Sequence, residues 1–188
     1  MRIGVLALQG DFAKHLQSIA AIGAVGAEVR TTDDLAACDR LIIPGGESTT
    51  IGILIQRHGL AEAISAKVKA GMPIWGTCMG MIMLAKRVVG RQQFSLGLLD
   101  VEVERNAFGA QVHSFEEDLT ITGFETPFHA VFIRAPAVTS VGASVDALAA
   151  CRDKTVAVRQ GHILATAFHP ELTNDSRFHE YFASIESK

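Results

Sequence analysis

The residue best suited to covalent chemistry is Cys78, in the stretch Pro73-Ile74-Trp75-Gly76-Thr77-Cys78-Met79-Gly80-Met81. An apolar run leads into it, and glycines stand two residues before it and two after. A strand that turns sharply into a helix around a nucleophile needs small neighbours, because the backbone crowds itself at the turn. Ile82, Met83, Leu84 and Ala85 read as that helix. The thiol then lies at a helix N-terminus, where unpaired N–H groups and the dipole favour the thiolate. Taken alone, the stretch fits a buried cysteine acting as a small hydrophobe just as well.

A thiol nucleophile needs a base for its proton, and the base needs an acceptor that fixes its tautomer. Phe168-His169-Pro170-Glu171-Leu172-Thr173 follows an apolar run and offers both: His169 as base and Glu171, two residues on, as acceptor. A lone His-Pro-Glu is more simply a satisfied histidine, so this assignment stands only together with Cys78. Pro44-Gly45-Gly46-Glu47-Ser48-Thr49-Thr50 supplies a third element. A glycine pair lets backbone N–H groups approach a tetrahedral oxyanion, and Met79, just after the nucleophile, would add another donor. The same glycines could cradle phosphate, but no Gly-Lys-Ser/Thr or Gly-x-Gly-x-x-Gly accompanies them.

These groups must be positioned by alternating strands and helices. Ile3 to Leu8 reads as a buried strand ending at Gln9-Gly10, and Phe12, Leu16, Ile19, Ala20 and Gly23 follow helical spacing with Asp11 as N-cap. Strands are expected at Glu28 to Thr32, Arg40 to Ile43 and Pro73 to Trp75, with helical spacing through Ile51, Leu54 and Ile55 and through Leu60, Ile64 and Val68. Such alternation means a parallel sheet covered on both faces, with ligands bound beyond the carboxyl ends of its strands. From Val101 the texture becomes β-rich: strands are expected at Val101 to Arg105, Leu119 to Thr122 and Val131 to Arg134, then a hairpin over Val156 to Phe168 turning at Gln160-Gly161. That half reads as an antiparallel addition, closed by an amphipathic helix bearing Phe178, Tyr181, Phe182 and Ile185.

Composition bounds the rest. The chain has 188 residues, 48% hydrophobic and 20% charged, with a formal net charge of −3. That suits one globular α/β domain over residues 1–188 and gives no electrostatic case for nucleic acid or an anionic membrane. No apolar run is long enough to span a bilayer, and the N-terminus lacks a signal pattern. Three cysteines, Cys38, Cys78 and Cys151, cannot all pair within one chain, which points to a reducing cytoplasm. No spacing suggests a metal site.

With the Cys78 and His169-Pro170-Glu171 segments, Leu8-Gln9-Gly10-Asp11, Pro44 to Thr49, Arg105-Asn106-Ala107-Phe108-Gly109, Phe132-Ile133-Arg134-Ala135-Pro136 and Ala167 to Thr173 resemble the class I (triad) glutamine amidotransferases. Within them, the resemblance is to the glutaminase subunits of the ribose 5-phosphate-dependent pyridoxal 5′-phosphate synthases. It implies a flavodoxin-like three-layer αβα sandwich with a mixed, mainly parallel sheet and an antiparallel C-terminal addition. It implies hydrolysis of L-glutamine through a glutamyl thioester on Cys78, with His169 as base and acid and Glu171 orienting it. Gly46, Glu47, Ser48, Arg105, Ile133 and Arg134 match the glutamine-binding positions of that family, and Gly45, Gly46 and Met79 its oxyanion hole. Gln9 and Gly10 match a rim position coupled to the partner, a (β/α)8-barrel synthase subunit in a large hetero-oligomer. Pyridoxal phosphate would be the product of that complex, so no cofactor is expected here. Relatives usually carry a small residue where this chain has Met79. Two other readings compete: a cysteine hydrolase on a similar sheet, in which Arg105 and Arg134 lack a role, and a silent regulatory subunit, which has no need of an intact Cys78, His169 and Glu171.

Overall fold

The computed structural model describes residues 1–90, 92–109 and 113–187. Its first half alternates β1 (Arg2–Leu6), α1 (Phe12–Ala21), β2 (Val25–Val29), α2 (Thr32–Ala36), β3 (Arg40–Ile43), α3 (Ser48–Arg57), α4 (Leu60–Lys69) and β4 (Ile74–Thr77), and α5 (Met79–Leu84) follows at once. Then come β5 (Ala85–Val88), β6 (Leu99–Glu104), β7 (Ser114–Leu119), β8 (Phe128–Ile133), β9 (Ala137–Val141), β10 (Asp146–Cys151), β11 (Lys154–Gln160) and β12 (Ile163–Thr166). A 3-10 turn (Pro170–Leu172) and α6 (Arg177–Ser184) end the described chain.

Among the described residues, ten strands form one sheet in the order β2-β1-β3-β4-β12-β11-β9-β6-β5, with β10 paired to β11, and β7 and β8 form a separate pair. The stretch β2-β1-β3-β4-β12 is parallel throughout. All of β4 and β12 is buried, as expected of central strands covered on both faces. Right-handed crossovers carry the chain from β1 outward to β2 and back past β1 to β3, which puts α1 and α2 on opposite faces. In agreement, α2 packs against α4, while α1 packs against the 3-10 turn. Trp75 of β4 lies beneath α6, 6.1 Å from Phe178 and 5.5 Å from Phe182 between ring centres.

The expected α/β architecture with a mixed sheet is present, and several local expectations change. β2 lies at Val25–Val29, not at Glu28 to Thr32, because Thr31 and Asp34 form a capping box that starts α2. Asp11 occupies the N-cap of α1 but makes no side-chain capping bond. Ala85 begins β5 instead of prolonging the helix. β7 covers Ser114–Leu119, not Leu119 to Thr122: its inward residues alternate with Glu116 and Asp118 on the solvent face, and the acidic composition hides the alternation. The hairpin does turn after Gln160, but its second strand β12 runs parallel to β4. The added half is therefore not simply antiparallel, and β5 is also parallel to β6.

The β4–α5 turn leaves no room for side chains at its two glycines. A Cβ on Gly76 would lie 2.3 Å from the Gly80 carbonyl oxygen, and one on Gly80 would lie 2.1 Å from that of Ile43. Backbone atoms cannot give way as flexible side chains do. Gly80→Ala is therefore expected to cost about 1–3 kcal/mol of stability by overpacking. Chemical denaturation measures it, and a midpoint equal to wild type would show that this contact is not tight.

Candidate active site

Four neighbouring parallel strands end on one rim, and each delivers part of the site. β1 leads to Gln9-Gly10, β3 to Gly45-Gly46, β4 to Cys78 and β12 to His169. Cys78 adopts φ 49° and ψ −106°, a region that a non-glycine residue occupies only when its surroundings hold it there. Its N–H donates to the Thr166 carbonyl at 2.7 Å, which ties the turn to β12. Its Sγ faces the Ile133 carbonyl at 3.7 Å.

His169 is 9% exposed and Glu171 3%. The His169 N–H donates to Val131 of β8 at 2.9 Å, and its Nδ1 lies 2.8 Å from Glu171 Oε1. An ionised carboxylate only accepts, so Nδ1 carries the hydrogen and Nε2 is left for Cys78. The ring edge rests on Gly45, where a Cβ would lie 2.4 Å from His169 Cε1. The Gly45 carbonyl oxygen in turn abuts Gly10, 2.0 Å from where its Cβ would be, and Gly10 has φ 101°. Side chains are thus excluded at both glycines.

A cavity of about 460 Å³ opens over Cys78. Gln9, Gly10, Gly45 and Gly46 line it together with Glu47, Ser48, Met79, Arg105, Ile133 and Arg134. His169 also lines it, while Glu171 lies behind. The structure thus brings every site residue expected from the sequence to one place. A second depression of about 690 Å³ beside β8, bordered by Glu116, His129 and Asp175, contains no cysteine.

A family model described as SNO glutamine amidotransferase family matches residues 5–187. The chain belongs to that family. It is 54% identical to a pyridoxal 5′-phosphate synthase subunit PdxT of Moorella thermoacetica, over 98% of this chain and 99% of that one. It is 55% identical to the PdxT of Desulforamulus reducens, over 98% and 99% respectively. A solved structure described as a glutamine amidotransferase superposes with a TM-score of 0.93 at 49% identity, covering 97% of each chain.

In this amidotransferase the electrostatics around His169 favour an ion pair. Burial, the largest influence on the ring, opposes its charge, but hydrogen bonding to Cys78 and Glu171 prevails and pushes its pKa up to about 10. Burial likewise works to raise Glu171, yet the His15 and His169 rings hold it below the ordinary carboxylate range. Glu47 spends its carboxylate on the N-terminus of α3, accepting from the Thr49 and Thr50 N–H groups at 3.2 and 2.8 Å. The Thr50 N–H bond is the largest influence bringing its pKa down to about 2.

Some residues of the site gave little signal in the sequence. Gln93 accepts from Arg105 Nη1 at 2.9 Å and lies 3.5 Å from Ser48 Oγ, so it steadies the guanidinium that Glu47 also approaches at 3.6 Å. His15, Thr77 and His179 stand behind Glu171. Only the helical spacing of His15 with Ile19 hints at burial. Among the described residues, no group of three His, Cys, Asp or Glu is arranged to hold a metal.

The raised pKa of His169 stabilises the fold fully below its ordinary value of 6.5, and that contribution is lost as pH rises through about 10. For Glu171 the sign reverses: its contribution is present above 4.5 and lost as pH falls. His169 is therefore expected to stay protonated through neutral pH and to titrate lower in Cys78→Ala, which removes one of the groups raising it. Imidazole NMR measures both; a ring that titrates near 6.5 in both proteins would contradict the ion pair.

Proposed function

We propose that this chain hydrolyses L-glutamine to L-glutamate and ammonia with Cys78, His169 and Glu171. The observation that carries the reading is the His169 ring, held by Glu171 and turned to Cys78 in a cavity walled by two arginines. His169 holds the proton drawn from the thiol, and the Cys78 thiolate attacks the side-chain amide carbon. The tetrahedral oxyanion meets N–H groups of the Gly45-Gly46 turn and of Met79, the first helical N–H of α5, which has no intrahelical partner. His169 returns the proton to the leaving ammonia, and water, with His169 as base, cleaves the glutamyl thioester. Arg105 and Arg134 grip the α-carboxylate, which guanidinium groups can do bidentately. Gly46, Glu47, Ser48 and Ile133 complete the binding wall.

Three thiols are free, and only Cys78 lies on the cavity. Burial is the largest influence raising Cys38, and it pushes Cys151 up to about 11, so neither is a ready nucleophile at neutral pH. Cys78→Ala is expected to abolish glutamate release with the fold intact, and a glutamine-like electrophile to label Cys78 first. A buried charged hydrogen bond is worth about 1.5–3 kcal/mol, so Arg105→Ala or Arg134→Ala should lower kcat/KM by about one to two orders of magnitude. Glutamate release by Cys78→Ala, or unchanged kinetics in both arginine variants, would overturn the corresponding assignment.

We further propose that the ammonia goes to a (β/α)8-barrel synthase chain in a large hetero-oligomer that makes pyridoxal 5′-phosphate, in the cytoplasm. The names of the PdxT relatives support the synthase. No described helix is long and apolar enough to cross a membrane. Docking at the rim would switch the glutaminase on. The rim is mechanically joined to the glycine turn: Gly10 abuts the Gly45 carbonyl, and Gln9 Oε1 accepts from the Glu47 N–H at 3.1 Å. A glycine peptide has little side-chain barrier to two orientations, only one of which aims an N–H at the oxyanion. Loss of one such donor costs about 10²–10³ in rate. The synthase is expected to raise kcat in a glutamate-release titration. Gly46→Ala should blunt that rise, because its Cβ would lie 3.1 Å from Gln9 Oε1. A fully active isolated chain would refute the switch while leaving the triad in place.

A further inference from the structure

Behind the triad lies a second set of buried polar groups that the reaction above leaves unused. His15 of α1 and Thr77 of β4 are fully buried, and His179 of α6 is 1% exposed. His15 Nδ1 is 3.0 Å from His179 Nε2. Its Nε2 sits between two oxygens, 3.2 Å from Thr77 Oγ1 and 3.3 Å from Glu171 Oε2. Trp75 flanks both rings edge-on, at 5.8 Å from His15 and 5.1 Å from His179.

The proton positions follow from the donors available. Glu171 Oε1 is taken by His169, while Oε2 is buried with no well-angled partner among the described residues. A bare His15 nitrogen facing Oε2 would set two acceptors against each other in a buried site. Nε2 therefore carries a hydrogen, which bonds Thr77 Oγ1, with Glu171 Oε2 beside it at 3.3 Å. Burial, the largest influence, lowers the His15 pKa; Glu171 and Asp11 act to raise it and His169 to lower it, and the ring is neutral. Its Nδ1 is then an acceptor, and His179 Nε2 must donate to it. His179 is also neutral, since burial brings its pKa down to about 3. The atom left without a partner is His179 Nδ1, which in this arrangement is a lone pair and not an orphaned N–H.

We propose that His15, itself held by His179, is a positioning residue of the triad: its Nε2–H holds the second oxygen of Glu171 and so fixes the carboxylate that orients His169. The inference rests on the triad reading. With His169 bonded to Oε1 and His15 Nε2 3.3 Å from Oε2, histidines on opposite sides restrain the carboxylate and disfavour its protonation. A protonated Glu171 could donate to His169 Nδ1. That would force the ring hydrogen onto Nε2, facing the thiol, and remove the base.

The test compares His15→Leu, which has no donor, with His15→Gln, whose amide N–H reaches the Nε2 position, and with Cys78→Ala. Glutamate release is measured on the full chain with the synthase chain of the same organism, per site titrated by a glutamine-like electrophile. His15→Leu is expected to lower kcat on the order of 10–100-fold, as loss of an orienting partner does, with KM nearly unchanged. The acid limb of its kcat/KM profile should move to higher pH, because Glu171 without its donor protonates more easily. His15→Gln should recover most of both. Wild-type kcat and pH profile in His15→Leu would overturn the inference. So would a loss with an unmoved acid limb and no recovery in His15→Gln, which marks a packing role. If His15→Leu does not fold, His15→Asn, whose amide falls short of Glu171, replaces it, and equal activity of the Asn and Gln variants overturns the inference. Turnover by Cys78→Ala would remove the triad and this inference together. An inactive Cys78→Ala beside a wild-type His15→Leu removes only the inference.

Discussion

The left-handed turn at Cys78 is the constraint on which the rest of the structure depends. A non-glycine residue at φ 49° and ψ −106° carries about 1–3 kcal/mol of strain, and the fold must hold it from several sides. Gly76 and Gly80 leave room for the backbone to fold back, and the Cys78 N–H is anchored on β12. Every residue of α5 is buried, so the helix that leaves the turn is fixed by packing against the sheet. At six residues, that helix is too short to form on its own propensity, and tertiary contacts stabilise it. The strain is thus offset by burial of the segment that the turn creates.

That anchorage also sets the distance between the proposed nucleophile and its base. Thr77 pairs with Thr166 across β4 and β12, with Cys78 one residue beyond on one strand and His169 three beyond on the other. The spacing is a property of sheet register, not of loop flexibility. A slip of one residue would turn each side chain of β12 to the opposite face of the sheet. Trp75 Nε1 donating to Thr166 Oγ1 at 3.2 Å adds a side-chain lock on the same pairing.

The strand ends bearing chemistry were legible because their signals are local. Cys78 between two glycines, the Gly45-Gly46 pair and His169-Pro170-Glu171 each state their geometry within a few residues, and the cavity gathers them. Long-range pairing was not legible. The hairpin over β11 and β12 reads as antiparallel, which it is within itself, yet the sequence does not say that β12 lies parallel beside β4. β9 and β10 carry no clear signal, because Ala137–Val141 and Asp146–Cys151 mix exposed and buried residues without clean alternation. His15 and His179 look like ordinary polar residues of amphipathic helices. Their meaning appears only when α1 and α6 meet over Trp75.

The pair β7–β8 has a disproportionate part in the site for two strands outside the main sheet. Ile133 at the end of β8 presents its carbonyl to the Cys78 thiol, and the next residue, Arg134, is left-handed at φ 43° and lines the cavity. Val131 accepts from the His169 N–H, so the same strand touches both the thiol and the base. Aromatic contacts join it both ways: Phe132 stacks on Phe115 of β7 at 4.6 Å and meets Phe168 of the protein's body edge-on at 5.6 Å. Phe168 is the residue before His169, so the packing that seats β8 also seats the base. Contacts of this kind are non-directional and tolerate small displacements better than a hydrogen-bonded ladder. The two arginines of the cavity are thus borne by different elements: Arg134 follows β8 of the separate pair, while Arg105 follows β6 of the main sheet.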